Sequence, residues 1–329
     1  MAQEKSKSFR NSVRLVGYLK ETTLEERVAE NGKHFITGSV QVATDEYNVH
    51  FVNFFVFEED NQEKYDAIKK YLPQNTISVA SYLKTTDNKA NFATAAGMAA
   101  KVWVMAAFEE NTRRSGERET ARVNLKGFSI GTCDPNKTFT PTSEFEVDGY
   151  IEEIEPEKVD EEETGRLNVK LLIPGYKGIM HRVPFVVGTE DNAAKGFAKK
   201  YKVSDTARLK GVLTTMVIRK DNEETESYFG REEPRQVTTT FRRERIITVG
   251  PTAPISQGAE GCITTEAVKE GLAKREVAID ERSKRRAKAV ADKESDKEEP
   301  AEKPAPVNQK LETAPAQDNS STNPEDLDF

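Results

Sequence analysis

Aromatic side chains in one apolar run are the first residues of this sequence that could do chemistry. The run extends from Phe51 to Phe57, and successive side chains of a strand point to opposite faces. Val52, Phe54 and Val56 are uniformly apolar, so we assign them to the interior of the fold. That assignment leaves Phe51 and Phe57 outside, where an aromatic ring can stack on an unpaired nucleobase. The alternative is that both rings belong to the core.

Basic residues that could neutralise phosphates fall into two groups. The first group comprises Lys84, Arg113, Arg114, Arg118, Arg122 and Lys126. The second comprises Arg182, Lys210, Arg242, Arg243 and Arg245. Alternate residues of a strand share a face, which pairs Arg122 with Lys126 and Arg243 with Arg245. The clusters 113–122 and 242–245 are the predicted backbone contacts. For any single residue of the two groups, the alternative is a solvated surface charge.

Residue types that do covalent or metal chemistry lack the spacing that such chemistry needs. His34, His50 and His181 have no ligand partners at metal-site spacing. No phosphate-binding glycine loop, nucleophile elbow or paired acidic metal motif occurs. The acidic run 152–163 is expected to be a solvated loop. The sequence therefore predicts a protein that is not an enzyme and uses no metal or other cofactor.

Composition and charge are those of a chain that is only partly globular. Of the 329 residues, 36% are hydrophobic and 32% are charged, so part of the chain is expected to stay unfolded. Residues 300–329 carry a net charge of −4 out of −7, which leaves the rest close to balance. No apolar run reaches the roughly 20 residues that span a bilayer, no signal peptide is evident, and the cysteines lack metal or disulfide spacing. We expect a cytoplasmic protein without membrane partners.

A weak internal repeat indicates which elements position the candidate residues. Residues 13–21 (VRLVGYLKE) and 145–153 (FEVDGYIEE) are alternating strands with a Gly-Tyr pair at the same phase. A strand glycine often marks the sharp bend that a small barrel needs. Each copy continues with two strands, a short helix and two more strands, the fourth strand being predicted at 76–83 in the first copy. This is the order of an OB barrel, so the sequence predicts an all-β-dominated fold with two tandem five-stranded OB barrels.

The remaining segments complete the predicted domain organisation. The expected order is a flexible N-terminus (1–10), barrel one (11–130), a linker (131–143), barrel two (144–250), an extension (251–292) and a disordered acidic tail (293–329). The extension contains a charged helix with Thr265 as its expected N-cap.

The segment from Lys84 to Glu119 has two interpretations, an extended hairpin or a helical insertion. It contains Trp103, the only tryptophan. In OB folds the corresponding hairpin flanks the binding groove, which makes Trp103 a candidate for base stacking. Burial in the core is the alternative.

Several short segments occur in the order that one known family shows. They are 11–19 (NSVRLVGYL), 31–33 (NGK), 42–44 (VAT), the run 51–57 and the ending 324–329 (PEDLDF). In this respect the chain resembles the bacterial and phage single-stranded DNA-binding proteins. The likeness covers most of residues 9–130, more loosely 143–250, and the last six. The chain departs from the family in its two barrels, its single tryptophan and its insertion after Leu83.

The resemblance implies a function and two further sets of site residues. Tyr47 and Phe51 occupy the family's base-stacking positions. The tip, formed by Asp326, Leu327, Asp328 and Phe329, is expected to recruit replication or recombination proteins, since its apolar side chains are flanked by carboxylates. The implied function is to coat and protect single-stranded DNA in replication or recombination, in a phage or mobile element, and a homo-oligomer is left open. Two other classes stay open: a protein-interaction scaffold and a non-catalytic subunit of a replication enzyme.

Overall fold

The computed structural model describes residues 9–87, 89–115, 118–159, 161–221 and 237–295. The predicted acidic tail, apart from residues 293–295, lies outside the described residues. The tip from Asp326 to Phe329 lies outside them as well.

Alternating apolar and polar side chains form the strands of the first barrel. These are β1 (Asn11–Thr22), β2 (Glu25–Val28), β3 (His34–Ala43), β4 (Val49–Phe57), β5 (Lys101–Ser115) and β6 (Arg118–Thr132). β1 pairs with β3 and β5, β3 pairs with β4, β4 pairs in parallel with β6, and β6 pairs with β5. Five strands therefore close into a ring, as in an OB barrel, and the short β2 extends β3 as a hairpin arm.

Gly17 lies where β1 changes its partner. β1 pairs with β5 from Val13 to Tyr18 and with β3 from Tyr18 onward. A Cβ added at Gly17 would lie 2.4 Å from the carbonyl oxygen of Ala43 on β3. Only glycine allows this close approach of two backbones, so the first glycine of the repeat serves the barrel's geometry.

Three helices of the first barrel separate β4 from β5. They are α1 (Gln62–Lys69), α2 (Val79–Thr85) and α3 (Phe92–Met98). The prediction of the fourth strand at 76–83 is wrong, because most of this segment forms α2. Ser78 and Ser81 exchange the two hydrogen bonds of a capping box, at 2.8 and 3.0 Å, which satisfies helix-end amides and favours the helix. The fourth strand is β5, so the segment after residue 84 contains both helix and a long hairpin.

The second barrel repeats the topology of the first. Its elements are β7 (Thr142–Val159), β8 (Glu162–Pro174), β9 (Met180–Val187), α4 (Ala193–Lys200), β10 (Thr206–Asp221) and β11 (Val237–Val249). β7 pairs with β8 and β10, β8 with β9, β9 in parallel with β11, and β11 with β10. The two tandem OB barrels predicted from the repeat are therefore confirmed.

Residues 152–163, expected to be a solvated loop, form much of the β7–β8 hairpin instead. Glu157 is only 3% exposed. Its carboxylate accepts a hydrogen bond from Thr164 at 2.9 Å and pairs with Arg166 and Arg242. Burial raises the pKa of Glu157, but hydrogen bonds led by Arg242 outweigh it and hold that pKa below its ordinary value. A buried carboxylate persists because such partners compensate its charge.

β1 and β7 join the two barrels. They pair antiparallel from Asn11 with Val147 to Val16 with Thr142, which makes one sheet of the eleven strands in the described residues. Phe108, Phe145 and Phe185 pack across this junction with ring centroids 5.1–5.8 Å apart. The core is therefore continuous between the barrels, which the predicted linker did not indicate.

Helix α5 (Thr265–Ser295) follows the second barrel. Thr264, rather than the predicted Thr265, caps it: its hydroxyl accepts a hydrogen bond from the amide of Ala267 at 3.3 Å. Val268 of α5 packs in a cluster with Tyr150, Leu172 and Met180 of the second barrel. The chain divides after Lys284, and all these contacts belong to the unit that precedes the division.

Candidate nucleic-acid interface

A row of phenylalanine rings covers the outer side of β3 and β4. We call Phe35, Phe51, Phe55 and Phe57 the outer aromatic face. Phe51 is 40% exposed and Phe55 is 53% exposed. The rings of Phe35, Phe55 and Phe57 contact one another, with centroids 5.1–5.5 Å apart. Exposed aromatic rings in a row are the arrangement on which successive unpaired bases stack.

The alternation along β4 is the one predicted from the sequence. Val52, Phe54 and Val56 are 0–6% exposed and face the core, so their assignment to the interior is confirmed. Phe55 and Phe35 were not among the predicted site residues. Phe55 shares the parity of Phe51 and Phe57, which was the available signal.

Four basic side chains lie on the same side of the barrel as the outer aromatic face. Lys126 of β6 pairs in register with Asn53 of β4, between Phe51 and Phe55. Arg122 and Arg118 share the face of Lys126 on β6, because alternate residues of a strand point the same way. Arg113 of β5 pairs in register with Thr120 of β6 and so lies on this face as well. The set is Arg113, Arg118, Arg122 and Lys126, all of them exposed.

The charges of this set are mostly available to a ligand. Lys126 pairs with Glu109 at 3.2 Å. No carboxylate within the described ranges forms an ion pair with Arg113, Arg118 or Arg122. These three arginines, Lys126 and the four rings of the outer aromatic face thus form one continuous surface across β3, β4, β6 and β5.

Arg114, predicted with this cluster, lies on the opposite face of β5. Its guanidinium pairs with Glu119 at 3.1 Å, and with Glu276 at 2.8 Å and Asp280 at 2.7 Å on α5. Arg114 therefore holds the hairpin to the helix, and its charge is already compensated.

Three predicted contacts of the second barrel are also compensated by carboxylates. Arg182 pairs with Glu152 at 2.9 Å, and Lys210 lies 3.7 Å from Glu146. Arg242 pairs with Glu157 and, at 3.0 Å, with Glu244. The structure does not bring these three together with the outer aromatic face.

Arg243 and Arg245 differ from their neighbours on β11, because both reach the first barrel. The guanidinium of Arg243 lies 4.5 Å from the ring centroid of Phe51. That of Arg245 lies 5.7 Å from the ring centroid of Phe108. Desolvation lowers the pKa of Arg245 to about 10, so its charge is retained in poor contact with water. The outer aromatic face thus continues onto the second barrel.

Tyr47 lies at the same junction, in the loop between β3 and β4. It is 47% exposed and stacks on Phe241 of β11, with centroids 6.3 Å apart and planes at 21°. The Asp45 carboxylate accepts hydrogen bonds from the amides of Tyr47 and Asn48, each at 2.8 Å, and these fix the loop. The predicted stacking position therefore carries an exposed ring that is held in place.

Trp103 and Lys84 lie in other parts of the first barrel. Trp103 is half-buried above Gly131 and lines a groove with Arg14 and Phe139. It lies four residues from Ala107, the β5 residue that pairs in register with Lys126, which is about 13 Å along the strand. Lys84 is exposed on α2, in the insertion that packs against β1. Neither belongs to the outer aromatic face.

The structure also bears on metal and membrane sites. In the described part of the chain, no three His, Cys, Asp or Glu side chains come together in a way that could hold a metal ion. Across the same ranges, no helix has the length and apolar character needed to cross a bilayer.

Comparison with known proteins identifies the family. The family model described as YorF matches residues 10–285. The chain belongs to the YorF family. No curated protein matches it significantly.

Three solved structures of single-stranded DNA-binding proteins resemble this member of the YorF family. The wild-type protein from Thermus aquaticus is 13% identical with a TM-score of 0.42, and the match covers 76% of this chain and 97% of that one. A deletion mutant of the same protein is 10% identical with a TM-score of 0.40, at the same coverage. The mitochondrial protein Rim1 from S. cerevisiae is 14% identical with a TM-score of 0.22, and covers 38% of this chain and 97% of that one. At such scores the likeness carries no argument about function, and the barrel assignment rests on the strand pairing described above.

Proposed function

We propose that this protein binds single-stranded DNA without strong sequence preference. One observation supports this most directly: the outer aromatic face adjoins Arg113, Arg118 and Arg122, which have no carboxylate partner in the described ranges. Aromatic rings accept any unpaired base by stacking, while nearby cations hold the backbone. Binding of this type requires unpaired bases, so single strands are preferred over duplex.

The physiological role follows from occupancy of the strand. A protein that stacks and neutralises successive nucleotides prevents reannealing and blocks nucleases. We propose that it coats single strands in replication or recombination. The tip formed by Asp326, Leu327, Asp328 and Phe329 recruits partner enzymes in this proposal. Deleting residues 324–329 is expected to abolish capture of those enzymes and to leave DNA affinity unchanged or slightly tighter.

Titration of labelled oligonucleotides at several salt concentrations tests the proposed binding. Each neutralised phosphate of a single strand lowers the slope of log K against log salt by about 0.7. With roughly six to ten contacts, a fourfold rise in salt weakens binding about 10²- to 10⁴-fold. A duplex of the same length is expected to bind more weakly. Absence of binding at low salt, or equal affinity for duplex and single strand, would refute the proposal.

A further inference from the structure

A cavity of about 140 Å³ lies where the first barrel meets the second. We call it the seam pocket. Its walls include His50, Phe51, Phe108, Asn124, Arg243 and Arg245. Phe51 also belongs to the outer aromatic face, so the seam pocket opens onto the surface proposed to carry the strand.

His50 presents an unsatisfied polar atom in this pocket. The residue is only 7% exposed, and its Nε2 has no hydrogen-bond partner among the described residues. Burial, aided by Arg243, lowers the pKa of His50 to about 4, so the imidazole is neutral near pH 7 and Nε2 can donate or accept one hydrogen bond. Buried polar atoms are nearly always satisfied, which makes this one a candidate for contact with a ligand.

Arg245 is a second polar group in the pocket without a full set of partners. Its Nη1 donates to the carbonyl oxygen of Pro184 at 3.3 Å. No carboxylate in the described ranges pairs with it. The adjacent Glu244, which also lines the pocket, pairs with Arg166 and Arg242, although its Oε1 makes no hydrogen bond among the described residues. A guanidinium is a donor only, with a planar fork of five N–H groups, so several of its donors can still bind a ligand.

Phe51 and Arg243 form a wall that can open. The guanidinium now lies 4.5 Å from the ring centroid. A base stacked between them needs about 7 Å, twice the ordinary contact distance of about 3.5 Å. Arg243 is exposed, and its side chain has no ion pair within the described residues, so this displacement breaks no ion pair there.

We propose that the seam pocket binds one nucleobase of the DNA strand, stacked between Phe51 and Arg243, with its polar edge contacting Arg245 and Nε2 of His50. The inference rests on the proposed single-strand binding and makes the two barrels parts of one continuous site. Because Arg245 only donates, the bound base must present an acceptor, and a carbonyl oxygen such as thymine O4 or guanine O6 has two lone pairs for the N–H groups of the guanidinium fork. An adenine ring nitrogen has a single lone pair, and its N7 lies beside the N6 amino donor, so thymine is favoured over adenine at this position.

Paired titrations with all-thymine and all-adenine oligonucleotides of equal length test the assignment. Arg245→Met keeps the side-chain length and removes the charge and the donors. It is expected to weaken binding to the thymine strand about tenfold or more, to weaken binding to the adenine strand less, and to leave the salt slope unchanged. His50→Leu acts in the same direction. Because Nε2 has no partner in the described protein, this second variant is also expected to keep the melting temperature. Arg182→Met is the matched control, because that arginine is paired with Glu152.

Three outcomes separate the possibilities. Equal losses on both strands, with a salt slope smaller by about 0.7, would mean that Arg245 contacts a phosphate, and the base pocket would be refuted. Unchanged affinity in both variants would also refute it, while the proposed function would stand. If the wild-type protein binds neither strand at low salt, the proposed function itself fails.

Discussion

Removing the rings of Phe51 and Phe55 is expected to reduce DNA affinity, whereas removing the buried ring of Phe54 is expected to reduce stability. A Phe51→Ala/Phe55→Ala double variant is expected to lose at least about tenfold in single-strand affinity, since stacking contributes about 1–3 kcal/mol per base. Its melting temperature is expected to change little, because both rings are about half exposed, at 40% and 53%. Fluorescence anisotropy and thermal melting measure the two effects.

Phe54→Ala is the control for that experiment. Phe54 is 2% exposed, and truncating a buried phenylalanine costs about 3–5 kcal/mol of stability. If the double variant loses stability like Phe54→Ala, the outer rings are structural and their role in binding is wrong.

The orientation of a single side chain could be predicted from the sequence, but its ion-pair partners could not. The period of a strand was enough to orient Phe51 and Phe57. It was not enough to separate Arg113 from Arg114 in function, because the partners of Arg114, Glu276 and Asp280, are remote in sequence. An arginine's availability depends on the carboxylates that folding brings near it, and local patterns do not contain that information.

Protonation of His50 is expected to destabilise the protein in acid. Its folded pKa of about 4 lies below the ordinary 6.5, so the unfolded chain binds the proton more tightly. The contribution of His50 to the free energy of unfolding is therefore fully present above pH 6.5. It is lost as the pH drops toward 4, by about 3 kcal/mol in total. His50→Leu is expected to remove this part of the pH dependence. Urea unfolding at pH 7, 5.5 and 4.5 measures the free energy of unfolding at each pH. If this free energy depends on pH equally in the variant and the wild type, the prediction is wrong.

At the scale of elements, α5 is attached to the first barrel by a buried ion pair. Arg275 is 5% exposed and donates to Glu110 of β5 at 2.6 and 3.0 Å. Arg275→Met is expected to cost about 3–5 kcal/mol, because it leaves the Glu110 carboxylate buried without its charge partner. Denaturant unfolding measures the loss.

Neighbouring Lys274 supplies the control for Arg275. Its pair with Glu270, at 2.7 Å, is exposed and screened by solvent, so Lys274→Met is expected to be nearly neutral. Combining Arg275→Met with Glu110→Gln is expected to recover part of the stability, because no buried charge then remains unpaired. If Arg275→Met is as mild as Lys274→Met, the pair does not hold the helix.

Elements were predictable where their signal is local. The order of strands and helices in both barrels follows from alternation and turns. The strand prediction at 76–83 failed for a local reason, because the capping pair of Ser78 and Ser81 favours a helix over a strand there. The acidic run 152–163 had a remote reason: Glu157 is compensated by Arg242, 85 residues away, and so can be buried in a hairpin.

At the scale of the whole molecule, the two barrels share their core. The β1–β7 pairing and the Phe108–Phe145–Phe185 cluster cross between them. The Arg275–Glu110 pair joins the first barrel to α5, which packs on the second. The sequence repeat shows two similar units but not their attachment, because β1 and β7 pair through residues more than a hundred positions apart. Contacts of this kind couple the folding of neighbouring units.

We therefore expect the barrels to unfold as one cooperative unit. Trp103 is the only tryptophan and lies in the first barrel, so its fluorescence reports unfolding there. Phe197 is 6% exposed on α4, which packs on β8 and β9 of the second barrel. Phe197→Ala is expected to cost about 3–5 kcal/mol and to lower the melting temperature by roughly 6–15 °C. In a cooperative unit the Trp103 signal shifts by the same amount as circular dichroism, although the substitution lies in the other barrel. A Trp103 midpoint that stays at the wild-type value while circular dichroism shows an earlier transition would mean that the barrels fold independently.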